Sequence, residues 1–209
     1  MLEPVFQKSS EKKSRFPLRS GKTEFFRDFE EFYIPTECMG MNIFHSSLAI
    51  STQRGFEILT LDKKQPISIP DLEASHVQMI ASRLSGQKPL GMFRLSESEF
   101  LLVYEECAVY VNKHGDISRS VIMEFVGRAK SAALYGPYVL LFDTDFVEIR
   151  NAQNGRLRQV IAGREVKCLD DTLVGGTAGK RTVKVAMQHP EYEKVQLIVE
   201  LVLNEGLRE

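Results

Sequence analysis

From about residue 29 onward, apolar and polar positions alternate in short blocks rather than long helical stripes. EFYIP, MNIF, SLAIS, FEILTL, LGMFRL, EFLLVYE, AVYVN, VIMEFV, SAALY, YVLLFD, FVEIRN, LRQVIA, VKCLD, TVKVAM and VQLIVELVL are rich in β-branched and aromatic residues. Gly, Pro, Asn and Asp fall between them, which is the composition of strands and turns. In FVEIRN, Val147 and Ile149 alternate with Glu148 and Arg150. That period of two predicts a strand with one wet face, whereas the continuously apolar YVLLF predicts an inner strand covered on both faces. A helix is expected only at residues 71–84, DLEASHVQMIASRL, with Asp71 capping its start and Gly86 stopping its end.

The blocks repeat. FLLVYEECAVYVNKHGD from Phe100 aligns without a gap on YVLLFDTDFVEIRNAQNG from Tyr138, and LAISTQRGFEILTLDKKQP from Leu48 joins them if one residue is dropped. Each is an apolar strand, a short turn, a second strand and a polar turn, and the starts lie 52 and 38 residues apart. Self-similarity at such periods with strands alone is the mark of propeller blades of about four strands each. A sandwich would supply similar strands without the recurring hairpin. The expected architecture is all-β: a partial β-propeller of about four-stranded blades with one short helix, over residues 29–209. Residues 1–28 are expected to hold a strand remnant and a basic disordered loop.

Charge and chemistry narrow the function further. Lys plus Arg total 27 against 28 for Asp plus Glu, so the net charge of −1 provides no field for nucleic acid or an anionic membrane. The segment at residues 7–24, QKSSEKKSRFPLRSGKTE, is basic and poor in apolar residues, as a solvated linker would be. Cys38, Cys107 and Cys168 lie far apart without a CxxC, which predicts reduced, mostly buried thiols and no zinc site. No stretch is long and apolar enough for a transmembrane helix, so membrane contact is expected to be peripheral at most and the location cytoplasmic.

GGTAGKR at residues 175–181 has a phosphate-loop flavour but the wrong spacing, with Val174 where the first glycine belongs and Arg181 where Ser or Thr would bind magnesium. The acidic pairs Glu105/Glu106, Asp143/Asp145 and Asp170/Asp171 fall in or beside turns that Asp favours. His45, His76, His114 and His189 have no ligand spacing. No catalytic residue, metal or cofactor is implied. Arg150, Arg156, Arg158, Arg164 and Lys167 form a basic group that could receive an acidic protein partner if they share one blade edge.

Several separate motifs also occur in register with a known family. Phe32-Tyr33-Ile34-Pro35-Thr36-Glu37-Cys38, then Arg54-Gly55-Phe56-Glu57-Ile58, Tyr110 to Gly115, Tyr138-Val139-Leu140 and Phe146-Val147-Glu148-Ile149-Arg150 resemble the citron homology domain of fungal Rho-type guanine nucleotide exchange factors. Within these motifs Phe32, Tyr33, Ile34, Pro35, Glu37, Cys38, Gly55, Phe56, Phe146, Glu148 and Arg150 are expected to be structural.

The resemblance implies a β-propeller that follows Dbl and pleckstrin homology domains and acts as a regulatory protein-interaction module. Its implied partners are a Rho-type small GTPase or neighbouring domains of the exchange factor, at the cell cortex. Neither preceding domain occurs in these 209 residues, and Leu2 to Val5 resembles the tail of an earlier blade, so a carboxyl-terminal fragment prone to self-association is expected. The alternative is the citron-like propeller of a vesicle-tethering subunit, which would precede a long α-solenoid. An enzyme built on a propeller would need convergent acid, base or metal-ligating groups, which the sequence does not display.

Overall fold

The computed structural model describes residues 2–4, 26–28, 31, 33–34, 36–44, 47–61, 66–72, 77–170 and 182–204. The basic segment at 7–24, Phe32, Pro35, His45, His76, Asp171 and the glycine loop at 175–181 lie outside them. The chain divides into two compact units, residues 1–35 and residues 36–209. In the first, β1 (Leu2–Pro4) pairs antiparallel with β2 (Phe26–Asp28). The expected EFYIP strand is not formed at its described positions, Glu31, Tyr33 and Ile34.

The second unit is a series of antiparallel meanders. The first sheet runs β3 (Cys38–Phe44), β4 (Ser47–Thr52), β5 (Gly55–Thr60) and β6 (Pro66–Ile69). After α1 (Gln78–Leu84), the second runs β7 (Pro89–Arg94), β8 (Glu99–Tyr104), β9 (Cys107–Asn112) and β10 (Met123–Glu124). The third runs β11 (Ser131–Tyr135), β12 (Tyr138–Phe142), β13 (Phe146–Asn151) and β14 (Leu157–Ala162). The fourth has, among the described residues, three strands, β15 (Lys167–Asp170), β16 (Val183–Gln188) and β17 (Gln196–Leu201). First strands gather together: β7 lies against β3 and β11, and β11 against β15. Strand order from an inner strand outwards, repeated sheet after sheet, is blade geometry. The three repeated hairpins of the sequence are the middle pairs β4–β5, β8–β9 and β12–β13.

Alternation across the pleat explains why the sheets stack face to face. On β8, Leu102 and Tyr104 join a core shared with the first sheet, which includes Ala49, Phe56 and Ile69. Leu101 and Val103 point the other way, into a core with Ala132, Val139 and Leu141 of the third sheet. On β12, Leu140 and Phe142 turn from that core into the next, with Val166, Val183 and Val185. The middle sheets are therefore apolar on both faces, as YVLLF predicts. Each fully buried Leu, Val or Phe contributes about 1.5–3 kcal/mol, so the inter-sheet cores hold the arc together.

Two local expectations are corrected. The described helix is shorter than residues 71–84: α1 begins after Val77, which makes no side-chain cap, residues 73–76 lie outside the described residues, and the Asp71 backbone N–H donates to the Gly115 carbonyl at 3.2 Å. Its carboxyl end is as expected, with Gly86 at φ +76° just beyond Ser85, a conformation that glycine adopts without a Cβ penalty. Second, FVEIRN has no wet face. Glu148 is 1% exposed, because its side of β13 faces the second sheet instead of solvent.

Candidate interaction surface

Because each meander starts from its inner strand, the β4–β5, β8–β9, β12–β13 and β16–β17 turns collect at one end of the sheets. The β3–β4, β7–β8, β11–β12 and β13–β14 turns collect at the other. On the first of these rims the sheets are joined by charge. Arg83 of α1 pairs with Glu124 at 2.8 Å and with Glu106 at 3.3 Å, and Gln87 also donates to Glu106 at 3.1 Å. Arg128 pairs with Glu105 at 2.7 Å, while its backbone N–H donates to Asp143 at 2.8 Å, tying the second sheet to the third. The Arg128 guanidinium beside Glu105 holds that carboxyl below the usual carboxylate range.

The opposite rim has its own clasp. Arg119 pairs with Glu99, lies 3.9 Å over the centre of the Tyr110 ring and donates to the Gln153 carbonyl in the β13–β14 turn. Tyr110 donates its hydroxyl to Ala152 O at 3.0 Å, from the same turn. Hydrogen bonding from Arg119 keeps Glu99 low in pKa. Between the sheets, Glu148 accepts from Arg150 Nε and from the Val126 N–H at 2.9 Å, and Arg150 Nη1 donates to Gly155 O at 2.8 Å.

The basic group is divided by this architecture. Arg150 is taken up by Glu148, with its side chain 14% exposed. Arg156 and Arg158, both exposed, stand at the start of β14, while the exposed Arg164 and Lys167 lie beyond its end. A six-residue strand, roughly 20 Å long, separates the two pairs.

The motif residues form mainly turns and cores. Tyr33 is exposed and Ile34 half-buried in the first unit. Glu37 accepts from Gln53 at 2.8 Å; Gly55 turns β4 into β5 at φ +125°. Phe56 is buried edge-on to Tyr104, and Phe146 is half-buried at the start of β13. Cys38 departs from the buried-thiol expectation: it opens β3, and its exposed thiol donates to Gly40 O at 3.5 Å. Cys107 is buried, and burial pushes its thiol up to about 12, so it stays protonated and unreactive at neutral pH. No helix of the described residues is long and apolar enough to cross a membrane.

A concavity of about 770 Å³ opens on the first rim between the first and second sheets. The β4–β5 turn, the end of β6, the carboxyl end of α1 and the start of β7 frame it, with Phe56, Leu72 and Tyr104 in its floor. A second cleft of about 450 Å³ lies towards the other rim, lined by Phe44, Ile67, Phe100 and His114. Sequence reasoning did not find these clefts or Arg83, Arg119 and Arg128, because the partners of those arginines lie about 20 to 40 residues away and outside any periodic pattern.

Successive antiparallel meander sheets packed face to face, with clefts between the first and second, define a propeller-like all-β fold. Residues 2–172 match the CNH domain family, and the chain belongs to that family. It is 27% identical over 204 residues to Rho1 guanine nucleotide exchange factor 3 of Schizosaccharomyces pombe, covering 95% of this chain and 16% of that protein. It is 34% identical over 146 residues to Rho1 guanine nucleotide exchange factor 1 of the same yeast, covering 69% of this chain and 11% of that protein. The chain thus spans a sixth or less of these curated relatives. Among solved structures, the AfRom2 CNH domain superposes with a TM-score of 0.70 at 26% identity, over 85% of this chain and 54% of that one.

Proposed function

We propose that the chain is a non-catalytic interaction and regulatory module of a Rho-type guanine nucleotide exchange factor. Its partners are a Rho-type small GTPase or the neighbouring domains of the exchange factor, and it works in the cytoplasm at the cell cortex. The observation that carries this reading is the family match over residues 2–172 together with relatives that are Rho1 exchange factors. Those relatives favour the exchange-factor context over vesicle tethering. The chemistry agrees with a binding role: the buried Cys107 is protonated, and Glu99, Glu105 and Glu148 are held by arginines within the framework.

Arg156 with Arg158 on one rim, and Arg164 with Lys167 on the other, are proposed as two separate places where an acidic surface could be steered, in place of one patch. The test is interferometry with the chain immobilised, against a Rho-type GTPase in its GDP and GTP forms and against a Dbl–pleckstrin fragment of a relative. Saturable binding to at least one is expected. Binding to none of them would overturn the proposal.

A further inference from the structure

The geometry points to the 770 Å³ cleft of the first rim as a docking site for an acidic peptide segment that carries an apolar anchor. This deepens the interaction-module reading and rests on it. The argument begins with charge. Among the described residues lining the cleft there are two cations, Arg54 and Lys88, and no carboxylate.

Both side chains are exposed, and no ion pair joins either of them to another described residue. On the same rim Arg83 is neutralised by Glu106 and Glu124 and Arg128 by Glu105, while the exposed Arg164 and Lys167 stand apart, beyond the end of β14. Two unpaired cations at the mouth of a concavity that has no carboxylate in its described lining attract a ligand of opposite charge, and more strongly as salt falls.

The walls between the cations specify more than an anion. Phe56 and Tyr104 are buried edge-on at 5.4 Å, and with Leu72 they give the cleft an apolar floor that would accept a Phe or Leu side chain. Ser68 and Ser85 add polar groups suited to the backbone of an extended peptide, while the Gln53 amide donates to Glu37 at 2.8 Å. On the α1 side the frame is held by Ile80 and Leu84, both buried in the inter-sheet core. A small inorganic anion would use the two cations and leave the apolar floor idle.

The experiment uses the whole 209-residue chain and a fluorescein-labelled peptide, Glu-Phe-Glu-Leu-Glu, with a counterpart in which lysine replaces each glutamate. Fluorescence polarisation is expected to show saturable binding of the acidic peptide only, weakening as salt is raised. The charge-reversed double variant Arg54→Glu/Lys88→Glu is expected to bind it about tenfold or more weakly, since rim charges set encounter and register. Arg54→Ala and Lys88→Ala should fall between, with unchanged melting curves.

Equal binding of the lysine peptide, no binding of the acidic one, an unaltered affinity in the double variant, or displacement by millimolar inorganic phosphate would each overturn the inference. The same preparations are tested against the Rho-type GTPase and the Dbl–pleckstrin fragment. If either of those still binds while the acidic peptide fails, only the cleft assignment falls; if all fail, the interaction-module reading falls with it.

Discussion

At the scale of single residues, the pair Glu148–Arg150 is the most sensitive point of the framework. Glu148 sits between two sheets, so truncating Arg150 leaves a carboxylate in an apolar seam without its partner. Breaking such a pair from one side costs about 3–5 kcal/mol, whereas replacing both partners by groups of similar shape is often neutral. Arg150→Ala is therefore expected to lower the chemical-denaturation midpoint strongly, and Glu148→Gln/Arg150→Met to recover much of the loss. A double variant as unstable as the single one would contradict this.

Glu99 and Glu105 contribute stability that acid removes. Both have folded-state pKa values depressed by arginine partners. Their contribution is thus complete above the unfolded carboxylate value of about 4.3 and is lost as pH falls through the lower folded values. Melting temperature should fall below about pH 4, and Glu99→Gln/Glu105→Gln should flatten that fall while lowering the plateau at neutral pH.

At the scale of elements, α1 is a seven-residue helix without an N-terminal side-chain cap, too short to persist by propensity. Its stability comes from Ile80 and Leu84, one turn apart and both buried, while Met79 is 83% exposed. Leu84→Ala is expected to cost about 2–5 kcal/mol and Met79→Ala almost nothing. Denaturant titration of the two variants measures the contrast.

The helix also marks where the sequence was and was not legible. Gly86 was readable as its end because a positive φ is a local demand. Its described start at Gln78 was not, because Val77 carries no capping side chain and the chain before it is tied to the β9–β10 connection through Asp71 N–H and Gly115 O, 44 residues away. The hairpins β4–β5, β8–β9 and β12–β13 were readable from repetition, and the apolar β12 from its continuous pattern. Glu148 and Arg150 were misread as solvated for one reason: period two gives the two faces of a strand but not what covers each face. The same limit hid the rim clasps, since Arg119 and Arg128 lie in polar connecting stretches and meet carboxylates fixed only by tertiary structure.

At the scale of the whole molecule, the fourth sheet decides solution behaviour. Its last strand, β17, pairs with β16, and Ile198 is 71% exposed on a face turned away from the third core. Exposed apolar side chains beside a strand edge promote association. The 209-residue chain is expected to self-associate in light scattering, and to become a more heat-stable monomer when the rest of a CNH ring is supplied in cis. A monodisperse, cooperatively melting monomer of the chain alone would contradict that expectation.

The central proposal is that this chain binds and regulates without performing exchange. The most direct measurement is the release of a fluorescent guanine nucleotide from a Rho-type GTPase as the purified chain is titrated in, with anisotropy recorded in the same cuvette. The account predicts an anisotropy rise for a binding partner and a release rate equal to the intrinsic one at every concentration. Acceleration of release that scales with this chain alone would contradict it.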